Sequence, residues 1–114
     1  MNSCLFCGIL KGAVKGDIVY QDESVVAFRD INPKAPIHIL IVPRKHIATL
    51  LDLEQGDKGL MGDIFYAANR LAREQGVSED GFRVVLNCGA GAGQSVYHIH
   101  FHLLGGRPFT WPPG

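Results

Sequence analysis

Hydrophobic residues recur at two different spacings along the chain, and each spacing predicts a different secondary structure. Short runs of β-branched and other apolar residues, bounded by polar turns, predict strands. We place these strands at Asp17 to Asp22, Ser24 to Arg29, Ile37 to Val42, Phe82 to Asn87 and Tyr97 to Leu104. Apolar residues at helical spacing predict a helix over roughly Lys58 to Gln75, closed by Gly76, and a short helix is predicted over Cys4 to Lys11. Strands arranged around one long helix predict an α+β fold with a mostly antiparallel sheet.

Composition narrows the class of protein. With 114 residues, 46% of them hydrophobic, the chain suits one compact domain over residues 1–114. Its 11 lysine and arginine residues balance 11 aspartate and glutamate residues, so no basic field is available to hold a nucleic acid, and a small-molecule ligand is favoured. No apolar run reaches the roughly 20 residues of a membrane span, and no signal peptide is apparent. Three cysteines do not make a disulfide framework, so we expect a cytoplasmic protein with reduced thiols.

The stretch YHIHFHLLG places three histidines, His98, His100 and His102, on alternate residues. Successive side chains of a strand point to opposite faces, so the three rings would line one face and the apolar residues between them the other. A single histidine in the chain, such as His46, reads by itself as a half-buried polar residue with one hydrogen-bond partner. Packing has no use for three titratable rings in a row. The row therefore predicts a functional site.

Two kinds of site would use such a row. A metal site normally adds a carboxylate, and no acid lies within ten residues of the row. A phosphate site would use one imidazole to attack phosphorus while its neighbours donate to the phosphoryl oxygens. The preceding loop CGAGAGQS favours phosphate, because glycines at 89, 91 and 93 free backbone N–H groups to bind an anion, and Gln94 and Ser95 add side-chain donors. Taken alone, this loop also reads as an ordinary connection between strands.

Other polar residues stay open to two interpretations. His38 interrupts the apolar strand IHILIV, and once buried it needs a partner, for which another ring of the site or a backbone carbonyl would serve. Cys4 and Cys7 form a CxxC pair that can bind one zinc ion, although a structural zinc site needs four ligands. The alternative is that both are ordinary thiols. Cys88 has no evident partner.

These residues resemble the histidine-triad superfamily, whose motif is His-φ-His-φ-His-φ-φ with φ apolar. The resemblance covers nearly the whole chain, through FRDINPKAPIHILIVPRKHI, VVLNCGAGAGQSVYHIHFHLLGGR and the ending WPPG. Within the superfamily the chain is similar to the HINT branch, the histidine-triad nucleotide-binding proteins that hydrolyse purine nucleoside phosphoramidates. The resemblance implies a histidine-triad-like fold, a bound nucleotide of AMP or GMP type, release of a nucleoside 5′-monophosphate and an amine, and no metal required for catalysis.

The resemblance also implies a role for each matching residue of the catalytic set. His100 matches the nucleophile that becomes nucleotidylated, with its Nδ1 oriented by the backbone carbonyl of His98. His102 matches a group that contacts phosphate, and Ser95 one that assists departure of the amine. His38 completes the predicted catalytic residues.

Nucleotide contacts are implied in the same way. Asp30 matches the carboxylate that accepts hydrogen bonds from the ribose hydroxyls, although by itself it reads more readily as a turn residue before Asn32. Further contacts are implied for Asn87, Gly93, Gln94 and Ser95. The residues that would enclose the purine, any of which also reads as plain core, are Leu5, Phe6, Ile9, Phe28 and Ile31.

Relatives in the superfamily also imply a metal and a second subunit. Some of them complete the CxxC pair with two histidines, so the resemblance implies structural zinc at Cys4, Cys7, His46 and His98. Members pair as homodimers in which two sheets join and the C-terminal tail reaches the partner's active site. The tail FTWPPG, with Trp111 beside no local core, suits such a contact.

Two alternative functions are retained. One is a nucleotide-binding regulatory or scaffold module, which would need no nucleophile beside Ser95. The other is a dinucleoside polyphosphate hydrolase of the same superfamily, which the GQSVYH lead-in and the WPPG ending resemble less well.

Overall fold

A computed structural model describes residues 4–114 of the chain. Its helices and strands are α1 (Leu5–Leu10), β1 (Ile18–Gln21), β2 (Val25–Arg29), β3 (Ile37–Pro43), α2 (Lys58–Glu74), β4 (Phe82–Leu86) and β5 (Phe101–Gly105). Short 3-10 turns lie at Leu50–Asp52, Gln55–Asp57 and Ala90–Ala92. The predicted helices and strands are all present, and their bounds agree to within one residue except at the start of β5. Neither helix in the described range is long and apolar enough to cross a membrane.

The five strands form one sheet in the order β1-β2-β3-β5-β4, and each neighbouring pair is antiparallel. The predicted α+β class is therefore confirmed. The register between β3 and β5 sets Leu40 opposite His102 and His38 opposite Leu104. Because directly opposed residues share a face and alternate residues return to it, His38 and His102 point to the same side of the sheet.

Each face of the sheet carries its own apolar cluster. The larger cluster lies between the sheet and α2, and its members from the triad segment are Ile99, Phe101 and Leu103. The smaller cluster packs under α1 and consists of Phe6, Ile9, Val26, Phe28, Leu40 and Val42. The apolar residues that alternate with the three histidines are thus buried against α2. The histidines lie on the opposite face, as the alternating pattern predicts.

The last strand begins four residues later than predicted, because β5 is Phe101–Gly105 and the segment that holds His98 and His100 precedes it. Continuing the register of β3 and β5 would set Pro43 against Ile99. Proline has no N–H to donate to a ladder, and the Pro43 carbonyl accepts a hydrogen bond from the His98 ring at 2.8 Å instead. The segment before Phe101 therefore lies outside the sheet, and the contact of the His98 ring with Pro43 replaces backbone hydrogen bonds of the β-ladder there.

The helix α2 begins beside an ion pair whose carboxylate, Asp57, is buried and whose lysine, Lys45, is exposed, and it ends at a glycine. The carboxylate of Asp57 accepts hydrogen bonds from the Lys45 ammonium at 2.7 Å and from the Glu54 N–H at 2.9 Å. At the other end, Gly76 has φ +76°, a left-handed conformation that favours glycine, and the predicted stop is confirmed. Lys45 also ties the loop that carries His46 to the start of the helix.

Candidate active site

Four histidines gather on the face of the sheet that α1 covers. His38 comes from β3, His102 from β5, and His98 and His100 from the irregular segment before β5. Ring centroids lie 5.0 Å apart for His100 and His102, and 5.2 Å apart for His38 and His102. Phe6 of α1 packs edge-on against His98 and His100, with centroid separations of 6.0 and 5.0 Å. The fold thus assembles the histidines of the predicted catalytic set.

His100 is held in one orientation and one protonation state. Its Nδ1 lies 2.9 Å from the carbonyl oxygen of His98, the contact that the resemblance implies. A carbonyl only accepts, so Nδ1 carries the proton and Nε2 keeps its lone pair. Burial lowers the pKa of His100 from its ordinary 6.5, against the opposing effects of the bond to His98 and the charge of Asp30. The ring is therefore neutral at pH 7 and offers Nε2 as a nucleophile.

The direction of the hydrogen bond between His38 and His102 follows from the backbone. The Lys34 N–H donates to Nδ1 of His38 at 3.0 Å, so Nε2 of His38 carries the proton. That Nε2 lies 2.9 Å from Nδ1 of His102 and donates to it. In a neutral His102 the proton then sits on Nε2, which is an N–H donor suited to a phosphoryl oxygen. The sequence leaves open whether His38 pairs with another ring of the site or with a backbone carbonyl. In the structure its partner is the ring of His102.

Burial keeps these rings neutral. It is the largest cause that lowers the pKa of His102 to about 4, and the charges that His100 and His38 would carry lower it further. Burial also lowers the pKa of His38, while the carboxylate of Asp30 opposes that shift. At pH 7 the site therefore acts through N–H groups and lone pairs rather than through positive charge. An anionic phosphate placed beside these rings would raise their pKa values.

Asp30 has both a turn contact and a site contact. Its Oδ1 accepts the Asn32 N–H at 2.8 Å, which is the turn that the bare sequence predicts. Its Oδ2 lies 3.4 Å from Nε2 of His38, and 19% of the Asp30 side chain stays exposed. The carboxylate is therefore at the end of the histidine network and is still accessible. Its contact with a ribose stays a prediction.

A second group of potential metal ligands consists of Asp30, His38 and His102, whose ligand atoms lie within 4.8 Å of one another. The fold thus supplies the carboxylate that the sequence around the triad lacks. However, Nε2 of His38 carries a proton, which leaves no lone pair for a metal. Its 2.9 Å separation from Nδ1 of His102 is shorter than the roughly 3.3 Å between nitrogens on a tetrahedral zinc. These three residues form a hydrogen-bond chain rather than a metal site.

The glycine-rich loop is partly regular, whereas the sequence predicts an irregular segment. It contains the 3-10 turn Ala90–Ala92. The N–H groups of Ala92, Gly93 and Gln94 donate to carbonyls within the loop at 3.0 to 3.2 Å, so these three have partners inside the protein. Contact of this backbone with an anion stays a prediction. Gly89 and Gly93 have φ of +88° and +93°. Glycine at those two positions serves the shape of the loop.

The Gln94 side chain forms its hydrogen bonds within the protein. It is 4% exposed, its Oε1 accepts the Gly89 N–H at 2.9 Å, and its Nε2 donates to the Ala48 carbonyl at 2.7 Å. The prediction that this side chain donates to an anion is therefore wrong, and Gln94 fastens the loop instead. Ser95 is exposed next to it, and Asn87 is half-buried at the end of β4. Both remain predicted ligand contacts.

The five apolar residues predicted to enclose a base fall into two groups. Phe6, Ile9 and Phe28 are buried in the cluster under α1. Leu5 and Ile31 are 48% and 90% exposed. The exposed pair is available to a ligand, while the buried three belong to the core, where Phe6 packs against His98 and His100.

The four predicted metal ligands, Cys4, Cys7, His46 and His98, converge on one point and are called the Cys/His cluster below. Nδ1 of His98 lies 3.5 Å from each sulfur and 3.2 Å from Nδ1 of His46. The sulfur of Cys7 lies 3.3 Å from Nδ1 of His46. Sulfurs at about 2.3 Å and nitrogens at about 2.0 Å around a tetrahedral zinc would be roughly 3.3 to 3.8 Å apart. Both the donor set and the spacing therefore fit one zinc ion.

The His98 ring is already oriented for such a site. It is fully buried, and its Nε2 donates to the Pro43 carbonyl at 2.8 Å. Nδ1 consequently keeps its lone pair and directs it into the Cys/His cluster, the arrangement that outer contacts give metal-bound histidines. Burial is the largest cause that raises the pKa of the Cys4 thiol. A metal cation would reverse that preference by displacing the thiol proton.

Three groups that position the site carry no signal in the sequence. They are the Pro43 carbonyl, the Lys34 N–H and the buried side chain of Gln94. Backbone groups are present at every residue, so nothing marks the two that matter. Gln94 lies in a polar, glycine-rich stretch, where its burial is not expected.

Comparison with known proteins agrees with this geometry. The family model described as HIT domain matches residues 11–109. The chain is 48% identical over 112 residues to a 14 kDa zinc-binding protein of Zea mays, covering 96% of this chain and 87% of that one. It is 46% identical over 104 residues to a purine nucleoside phosphoramidase of Escherichia coli, covering 91% and 87%.

A solved structure gives the same result for the fold. The crystal structure of a HIT family hydrolase from Legionella pneumophila is similar with a TM-score of 0.96 and 52% identity, over 98% of this chain and 100% of that one. The family match, the long alignments and the shared fold all cover the histidine face described above. This chain belongs to the HIT domain family.

Proposed function

We propose that this protein hydrolyses purine nucleoside phosphoramidates and releases a nucleoside 5′-monophosphate and an amine. The observation that supports this best is the ring of His100, whose Nδ1 is tethered to the His98 carbonyl at 2.9 Å so that Nε2 is a neutral nucleophile. The name of the Escherichia coli relative, a purine nucleoside phosphoramidase at 46% identity, supports the same substrate class. A binding module would have no need to fix this tautomer.

In the first step, Nε2 of His100 attacks phosphorus and forms an N–P bond. The P–N bond to the amine breaks, and its electron pair stays on the departing nitrogen, which takes a proton. The exposed hydroxyl of Ser95 is the proposed source of that proton. The nucleotidylated ring carries positive charge, which the His98 carbonyl stabilises through Nδ1–H.

In the second step, water attacks phosphorus and the N–P bond breaks. Its electrons return to Nε2 of His100, and the proton lost by water restores the hydroxyl of Ser95. The Nε2–H of His102 is the proposed donor to a phosphoryl oxygen in both steps, and His38 maintains that donor. The carboxylate of Asp30 would accept the ribose hydroxyls, with Ile31 and Leu5 against the base.

A steady-state assay separates the candidate functions. Adenosine phosphoramidate and diadenosine polyphosphates should be compared as substrates, with and without a chelator, beside calorimetry of AMP binding. We expect turnover of the phosphoramidate to exceed that of the polyphosphates. Binding of AMP without any turnover would favour the regulatory module, and preferred cleavage of polyphosphates would favour the other hydrolase class. Turnover that is abolished as soon as chelator is added, rather than reduced as zinc is slowly stripped from the Cys/His cluster, would contradict a metal-independent reaction.

We also propose that the Cys/His cluster binds one structural zinc. The tetrahedral spacing of its four ligand atoms supports this, as does the zinc-binding relative from Zea mays. Zinc there would cross-link α1 to the loop of His46 and to the triad segment. All three cysteines lie in the described range and none forms a disulfide, which suits the reducing cytoplasm that we propose as its location.

A homodimer is part of the same proposal. Strand β4 lies at the edge of the sheet, and next to it is an apolar cleft of about 280 Å³ lined by Leu50, Leu53, Met61, Phe65, Val84, Leu86 and Phe101. An unpaired edge strand beside exposed apolar side chains suits pairing with a second copy. Trp111 in the tail is 83% exposed, while Phe109 is packed by Arg83 and Arg107. The tail is thus anchored, with its indole ring available to a neighbour.

A further inference from the structure

We propose that the Cys/His cluster, once zinc is bound, positions the nucleophile, so that metal content sets the rate of the chemical step and not the affinity for nucleotide. Cys4, Cys7 and His46 would then be positioning residues for His100. This inference rests on the proposed roles of His100 and of zinc. It goes beyond them because a zinc site that only stabilises the fold would leave the orientation of the His100 ring unchanged.

One residue belongs to both sites. The ring of His98 contributes Nδ1 to the Cys/His cluster, while its carbonyl oxygen accepts the Nδ1–H of His100 at 2.9 Å. Three covalent bonds join the ring to the carbonyl carbon, so a displacement of the ring that carries Cα with it also moves the acceptor of the His100 proton. No intervening side chain is needed to transmit the displacement.

Few backbone hydrogen bonds hold the segment at His98, although Ile99 is buried in the core. The segment lies outside the β-ladder, since β5 begins only at Phe101. Within residues 4–114, apart from the contacts of the Cys/His cluster, its hydrogen bonds to other segments are the one from the His98 ring to the Pro43 carbonyl and the one from the Ile99 N–H to the Ile47 carbonyl at 2.7 Å. Ile47 follows His46 directly. Zinc bound by both histidines would therefore clamp the two segments on either side of this hydrogen bond.

The helix α1 provides a second connection. It has six residues, too few to be stable by itself, and Cys4 at its start accepts the Cys7 N–H through sulfur at 3.4 Å. Between these cysteines, Phe6 packs 5.0 Å from the His100 ring. Zinc held by both thiolates would fix this helix in place, and with it the wall against which the nucleophile rests.

The inference is tested with the full-length protein in three forms: zinc-loaded wild type, the same protein stripped by a chelator, and Cys7→Ser. Each is assayed for turnover of adenosine phosphoramidate, for AMP affinity, and for the His100 tautomer by ¹⁵N NMR of the ring nitrogens. We expect kcat to fall about 10- to 100-fold in both zinc-free forms while the AMP Kd changes by less than about threefold. The Nδ1–H signal of His100 should broaden or give way to the Nε2–H form, and zinc added back to stripped wild type should restore both readings.

A matched variant provides the control. Cys88→Ser removes the one thiol that lies outside the Cys/His cluster, and it should retain zinc, kcat and the His100 tautomer. Assays are run well below the melting temperature of each form. Should Cys7→Ser not fold, the stripped wild type and its zinc add-back carry the test alone.

The outcomes distinguish this inference from the proposed function. Unchanged kcat and an unchanged His100 tautomer in folded, zinc-free protein would overturn the inference and leave the phosphoramidase proposal intact. Equal losses in kcat and AMP affinity would also overturn it, because they indicate general loosening of the pocket. If wild type turned over no phosphoramidate, the proposed function would fail, and the tautomer with and without zinc would still decide the positioning role.

Discussion

Nε2 of His38 lies 2.9 Å from Nδ1 of His102, and the Lys34 N–H on the far side of the His38 ring decides which of the two nitrogens carries the shared proton. The chain of donors runs from backbone to His38 to His102 and leaves an N–H on Nε2 of His102. Asp30, 3.4 Å from the same Nε2 of His38, reinforces this direction by attracting that proton. A backbone amide thereby sets the hydrogen-bonding character of a ring in the candidate active site.

This relay predicts that His38→Ala lowers kcat/KM by about 10- to 100-fold, because Nδ1 of His102 loses its donor and the ring can adopt the other tautomer. His38→Gln is the matched control, since its amide oxygen can accept the Lys34 N–H while its NH₂ donates to His102. In steady-state kinetics on adenosine phosphoramidate, kcat/KM of His38→Gln should be well above that of His38→Ala. Equal activities for the two variants would contradict the relay.

His100→Ala is expected to lower turnover by several orders of magnitude and to leave AMP affinity nearly unchanged, because the proposed ribose and base contacts do not use this ring. His102→Ala should instead weaken both phosphate binding and rate. Rapid quenching of wild type with substrate should trap an acid-labile nucleotidyl adduct. Retention of more than about a tenth of the activity in His100→Ala, or an adduct on His98, would refute the assigned nucleophile.

The lowered pKa of His102 predicts how stability depends on pH. The pKa falls from 6.5 to about 4 on folding. Between these pH values the His102 ring is therefore protonated in the unfolded chain and neutral in the folded chain. The contribution is fully present above pH 6.5 and is lost as the pH falls toward 4. Urea unfolding at several pH values should therefore show a shallower decline for His102→Asn than for wild type. Parallel pH profiles for the two proteins would rule out this assignment.

Zinc should be present at about one ion per chain in protein purified under reducing conditions without added metal, because the Cys/His cluster supplies a complete set of four ligands. Cys4→Ser should lose the metal, and Cys88→Ser should retain it. Elemental analysis after gel filtration measures both. Protein kept reduced that contains no zinc in stoichiometric amount would end this prediction.

Light scattering at micromolar concentration should give the mass of a dimer. Phe65→Glu should shift the mass toward the monomer, because Phe65 is 50% exposed and lines the apolar cleft beside β4. Tyr66→Glu is the control, since Tyr66 is 79% exposed on the same helix but lines a different, polar cleft with Tyr20 and Arg70. A monomeric wild type would argue against this interface. So would an equal decrease in mass for Phe65→Glu and Tyr66→Glu.

What the sequence alone determined was local. The period of two in YHIHFHLLG placed the histidines and the apolar residues between them on opposite faces, and this held even though His98 and His100 lie outside the strand. Helical spacing and Gly76 likewise set the bounds of α2 to within one residue. Such patterns are readable because side-chain direction follows from the backbone geometry of neighbouring residues.

Only the tertiary structure decided which distant groups meet. His38 and Asp30 join His102 across 64 and 72 residues of sequence, because the register of β3 against β5 brings them together. The end of the ladder at Pro43, the internal bonds of the glycine loop and the burial of Gln94 were missed for the same reason. Each of these features depends on a hydrogen-bond partner from elsewhere in the chain. Every residue has a backbone carbonyl, and nearly every residue has an N–H, so the sequence does not mark the ones that act as partners.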